Sequence, residues 1–86
     1  MGKMSIVFFY FMKPGIANMK SVVEDHKNYW HGVNISAYEG GPFLDKTGGL
    51  IRFQAESYDQ AMGIINKDPF VINDCLDKKW VKQWLN

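Results

Sequence analysis

The stretch Ser5-Ile6-Val7-Phe8-Phe9-Tyr10-Phe11-Met12 is apolar at almost every position and runs directly into Lys13-Pro14-Gly15. Its length suits a strand better than a helix, and β-branched and aromatic side chains fill it. The pattern predicts a strand that stops at Lys13-Pro14-Gly15. A strand with one face in water alternates apolar and polar residues, so unbroken apolarity predicts a central strand with both faces covered. The rest of the chain must supply neighbouring strands, helices for one face, and something else for the other.

The 86 residues amount to a single domain, residues 1–86, of 47% hydrophobic and 15% aromatic composition. That is more apolar side chain than one thin core consumes, and the surplus predicts an interface or a pocket. A net charge of +1 with acids and bases interspersed speaks against nucleic acid as a partner. The lone cysteine, Cys75, reads as a small buried hydrophobe and fits a reducing compartment. Lys3 with the apolar run imitates a signal peptide, but no small-residue cleavage site follows. No other segment approaches membrane-spanning length, so the expected location is cytoplasmic, with no membrane partner.

Beyond Gly15, the residues Met19, Val22, Val23, His26, Tyr29 and Trp30 recur at helical spacing. They predict a helix starting near Ile16 to Asn18 and closing at His31-Gly32 with the glycine in the left-handed conformation. His26 faces inward on it. A second strand is expected over Val33–Tyr38, with Val33, Ile35 and Ala37 on one face. Glu39 to Gly49 then reads as a long glycine-rich connection to a third strand, Leu50–Ala55. Ser57-Tyr58-Asp59-Gln60 is a capping box opening a second helix, which must end by Asp68 because Pro69 disfavours helical torsions before it. Phe70 to Asp77 is a connection with room for one helical turn. Lys78–Leu85, with Trp80 and Trp84 against Val81 and Leu85, reads as the last strand, apolar on both sides.

The resulting order, βαββαβ, is that of an α+β, ferredoxin-like fold: a four-stranded antiparallel sheet with two helices on one face. The other face keeps apolar residues that no remaining element can hide. A homodimer joined through that sheet face, a dimeric α+β barrel, is the economical answer.

Three features carry chemistry: His26, the loop around Gly41-Pro42-Phe43, and Asp68-Pro69-Phe70. Each has a bland reading, since an inward histidine is commonly a hydrogen-bonded core residue and Asp before Pro commonly starts a turn. His31 complements the negative end of its helix. Two histidines five positions apart with scattered carboxylates are not a recognised metal set, so no metal is expected.

Asp25-His26-Lys27-Asn28-Tyr29-Trp30, then Gly40-Gly41-Pro42-Phe43-Leu44-Asp45-Lys46-Thr47-Gly48-Gly49, then Ala55-Glu56-Ser57, then Asp68-Pro69-Phe70-Val71, together resemble the YciI-like (YCII-related) family. The blocks come in the family's order and span His26 to Val71. Asn73-Asp74-Cys75 departs from it where many relatives have a glycine-containing turn, and the last strand is unusually rich in tryptophan.

The resemblance implies a dimeric ferredoxin-like fold and a site centred on a histidine and an aspartate, which by motif are His26 and Asp68. It also implies that some relatives are dehalogenases of chlorinated muconolactones. The expected activity is general acid–base chemistry of lyase, dehalogenase or isomerase type on a small organic acid or lactone, without a cofactor. Phe8, Tyr10, Gly41, Pro42 and Phe43 are the expected substrate-binding residues. The rival readings are a noncatalytic small-molecule-binding or accessory protein of the same fold and a cofactor-independent oxygenase of the dimeric α+β barrel type.

Overall fold

A computed structural model describes residues 3 to 85. The elements are β1 (Met4–Met12), α1 (Met19–Gly32), β2 (Ser36–Pro42), β3 (Gly48–Ala55), α2 (Tyr58–Ile65), α3 (Pro69–Ile72) and β4 (Leu76–Trp84). One four-stranded sheet has the order β2-β3-β1-β4, antiparallel throughout, which is the ferredoxin-like topology. The run that opens the chain is therefore central, paired to β3 on one side and β4 on the other.

Strand alternation sends Ile6, Phe8 and Tyr10 of β1 inward, each opposite an inward partner on β3: Phe53, Ile51 and Gly49. Against them pack Trp30 of α1, Ala61 and Ile65 of α2, and Phe70 of α3; all are 4% exposed or less. Cys75 joins this core, as its buried reading requires. The opposite face carries Val7, Phe9 and Phe11 of β1, Leu50 and Arg52 of β3, and Trp80 and Trp84 of β4. Phe9 stacks on Trp80 at 5.1 Å between centroids, yet Trp80 and Trp84 remain 38% and 44% exposed. Within one chain, this face is half covered.

The helices begin and end for local reasons. Ser57 Oγ accepts from the Gln60 amide at 3.0 Å, and Gln60 Oε1 accepts from the Glu56 amide, so the capping box starts α2. The α1 helix does close at Gly32, but not by a left-handed glycine. Val33 follows in extended conformation with its N–H bonded to the Tyr29 carbonyl, and among the described glycines only Gly15 has positive φ.

The other corrections concern where strands begin. β2 spans Ser36–Pro42 rather than Val33–Tyr38, so Gly40, Gly41 and Pro42 are strand and the connection shortens to Phe43–Thr47. An edge strand accepts proline because one side of its backbone has no ladder to complete. β3 accordingly starts at Gly48. A Cβ there would lie 1.8 Å from the Tyr10 carbonyl oxygen, so only glycine lets β3 approach β1 at this point. β4 begins at Leu76, ahead of Lys78, and Leu85 falls outside it, 86% exposed. No helix is long and apolar enough to cross a membrane.

Candidate functional site

Pro69 stops α2 and opens α3, and Asp68 caps α3: its Oδ1 accepts from the Phe70 amide at 2.8 Å. The bland reading of Asp-Pro as a turn former is thus correct, but it does not exhaust the carboxylate. His26 and Trp30, four residues apart on α1, present both rings to the same group. His26 Nδ1 lies 2.8 Å from Asp68 Oδ1, and Trp30 Nε1 donates to Asp68 Oδ2 at 2.9 Å. Asp68 is 0% exposed, and every buried side-chain polar atom among the described residues has a partner.

This arrangement fixes the imidazole. The carboxylate receives N–H groups on both oxygens, so it acts as an acceptor and His26 Nδ1 is the donor. Nε2 then carries the lone pair of the neutral ring. It faces the Tyr10 hydroxyl at 3.4 Å. Phe70 stacks on the imidazole at 4.0 Å between centroids and 13° between planes, holding the ring's tilt. His26 is 9% exposed, enough to touch a cleft without being bathed by it. Burial, and then the negative charge of Asp68, push the Tyr10 phenol well above its ordinary range, so it stays a neutral donor at physiological pH.

The cleft that His26 reaches has a volume of about 830 Å³ and lies between the end of β1, α1, α3 and the β2–β3 hairpin. Tyr10, Tyr38, Phe70 and Ile51 form part of its wall, and Lys13, Lys27, His31 and Lys46 also line it. No Asp or Glu side chain is among its lining residues. Lys13 is bonded to Asp74 at 2.8 Å across the β1 and α3 exits.

Of the residues expected to bind substrate, Tyr10, Gly41 and Pro42 line this cleft. Phe8 and Phe43 do not. Phe8 shares the inward face with Tyr10 but lies two residues deeper, 0% exposed, beneath the Tyr10 ring at 5.2 Å. Phe43 leaves the hairpin on the opposite side of the sheet, where it meets Phe11 at 5.6 Å and lines a second hollow of about 740 Å³. Strand alternation could have placed Phe8, but only the true end of β2 places Phe43. Trp30 and Tyr38 were not expected at the site. A buried indole needs an acceptor, and Trp30 stands one helical turn from His26, so that spacing was the available signal.

Among the described residues no group of three or more His, Cys, Asp or Glu side chains is placed to hold a metal ion. No family model matches the chain, and no curated protein matches it in sequence. Solved structures do share its fold. The 5-chloro-2-hydroxyhydroquinone dehydrochlorinase TftG from Burkholderia phenoliruptrix, solved with 2,5-dihydroxybenzoquinone, superposes with a TM-score of 0.76 at 23% identity over 96% of this chain and 95% of that one. PA3566 from Pseudomonas aeruginosa gives 0.66 at 10% identity, covering 100% and 95%. A hypothetical Arabidopsis thaliana protein gives 0.64 at 15% identity, covering 100% and 89%. At these identities the likeness is one of fold, the ferredoxin-like α+β class.

Proposed function

We propose that this chain is a YciI-like enzyme that works as a homodimer and uses His26, oriented by Asp68, to move a proton on a small organic anion. The observation that carries the reading is the division of labour on one imidazole. Nδ1 is committed to a buried carboxylate, while Nε2 faces a cleft lined by cationic side chains and no carboxylate. A neutral imidazole held in that tautomer is a general base on its free nitrogen and returns the proton as a general acid. Attraction by Lys27 and Lys46 favours carboxylates, phenolates and enolates over neutral or cationic molecules.

The reaction class that suits such a site is elimination or isomerisation, with dehydrochlorination the leading case because TftG shares the fold. On a chlorinated polyhydroxybenzene the base takes a hydroxyl proton and the ring carbon bearing chlorine gains a proton. A second hydroxyl proton is then lost as chloride departs with the C–Cl electron pair. The products are a hydroxyquinone and HCl, with no net oxidant. Such proton transfers can run on side chains alone, and the expected location is the cytoplasm.

The experiment is chloride release from a panel holding 5-chloro-2-hydroxyhydroquinone and chlorinated muconolactones, with the parent protein and with His26→Asn. Turnover by the parent and its loss in the variant are expected. A panel left untouched by the parent, which nevertheless binds its members, would hand the cleft to the binding-protein reading.

A further inference from the structure

Resting on the reading of the His26 cleft as a substrate site, we infer that the hydroxyls of Tyr10 and Tyr38 are paired donors that hold the oxygens of an enolate, phenolate or quinone-type anion beside His26. The observations that carry this are a strand irregularity and two glycine notches, none of which the proton-transfer chemistry explains.

Between Ser36 and Glu39, β2 advances three residues while its partner advances two, from Gln54 to Arg52. The extra residue is a bulge, and Ala37 sits in it with φ of 54°, a left-handed conformation that non-glycine residues avoid. Regular alternation from Ser36, which shares the open face with Gln54, would put Tyr38 on that face too. The bulge exchanges faces, so Glu39 takes the open side opposite Arg52 and Tyr38 turns inward onto Trp30, the rings 6.0 Å apart and nearly parallel. Backbone strain kept in a strand beside a cleft marks a side chain that has been re-aimed.

Both hydroxyls then rest where side chains have been left out. A Cβ on Gly40 would come within 2.8 Å of the Tyr38 oxygen, and one on Gly49 within 2.6 Å of the Tyr10 oxygen. Tyr10 and Tyr38 line the cleft from the sheet and His26 lines it from α1. Burial and the charge of Asp68 push both phenols upward, so each keeps its proton and can only favour an electron-rich oxygen. Tyr10 is the closer to the reacting proton. Its 3.4 Å contact with His26 Nε2 is long, so an incoming substrate oxygen can take the phenol's hydrogen bond and free Nε2. Rim lysines gather anions; two fixed phenols choose those whose oxygens lie on a rigid planar frame.

The test is calorimetric titration with 2,5-dihydroxybenzoquinone of the parent, Tyr10→Phe and Tyr38→Phe, with melting temperatures measured alongside. Each variant keeps its ring, and so its packing on Trp30, Phe8 or Phe70. Both should fold and bind the quinone about tenfold or more weakly, the loss expected for a hydrogen bond to a charged oxygen. Parental affinity in both variants, or no binding by the parent, would overturn the inference. The role of His26 is read separately, from the rate lost in His26→Asn on the chlorinated panel.

Discussion

Trp30 donates its indole N–H to Oδ2 of Asp68 at 2.9 Å, one helical turn along α1 from the residue that engages Oδ1. The carboxylate is therefore clamped by two rings of one helix and by the Phe70 amide of its own turn. Asp68→Asn keeps the shape but replaces one acceptor with an NH₂ that must face a donor. Loss of roughly 1–3 kcal/mol is expected from such a buried mismatch. For a domain of this size that is a fall in melting temperature of about 4–8 °C per kcal/mol. Because His26 and Phe70 both donate to Oδ1, the amide should keep its oxygen there, turn its NH₂ toward Trp30 and leave the Nδ1–H tautomer of His26 in place. Asp68→Ala, which removes both acceptors, should lose that tautomer in ¹⁵N NMR, and an unchanged tautomer in a folded Asp68→Ala would remove the aspartate from its orienting role.

Two glycines make opposite predictions. Gly63 lies in α2 with nothing within 4 Å of where a Cβ would stand, so Gly63→Ala should stabilise the protein by about 0.5–1 kcal/mol. Gly48→Ala drives a Cβ into the Tyr10 carbonyl oxygen and should disrupt β3–β1 pairing beside the site. Thermal melts of the two variants check both signs.

The open sheet face predicts assembly. Phe9, Phe11, Leu50, Trp80 and Trp84 gather there, with the Arg52 guanidinium 5.2 Å over the Trp84 ring. Their partial exposure suits burial against a second copy, and aromatic side chains dominate such interfaces. Sedimentation at micromolar concentration should show a dimer for the parent and a monomer for the Trp80→Ser, Trp84→Ser double variant. A parental monomer would contradict the proposed assembly.

Much of this was legible in the chain because hydrophobic period and turn chemistry are local. The run from Ser5 to Met12 fixed a central strand, Ser57 to Gln60 a helix start, and Pro69 a helix stop. The β2–β3 hairpin was legible as two strands joined by a long loop, but its strand ends were not, because Gly40, Gly41 and Pro42 have loop composition and form strand here at the sheet edge, opposite Ile51, Leu50 and Gly49. That strand end decides Phe43, which meets Phe11 on the open side of the sheet instead of lining the His26 cleft. The bulge at Ala37 leaves no local signature, since alanine does not favour positive φ, and Tyr38 was hidden with it. His26 and Asp68 meet across 42 positions because α1 and the α2 exit share one face of the sheet, a consequence of topology that the βαββαβ order already contained.

The central claim is that His26 carries the proton. Its most direct measurement is the single-turnover rate of His26→Asn beside the parent, under saturating conditions, on whichever chlorinated compound of the panel the parent consumes. The rate should fall by about 10²–10⁴, the usual worth of a general acid–base residue, while the circular dichroism spectrum stays parental. A folded His26→Asn that releases chloride at the parental rate would contradict it.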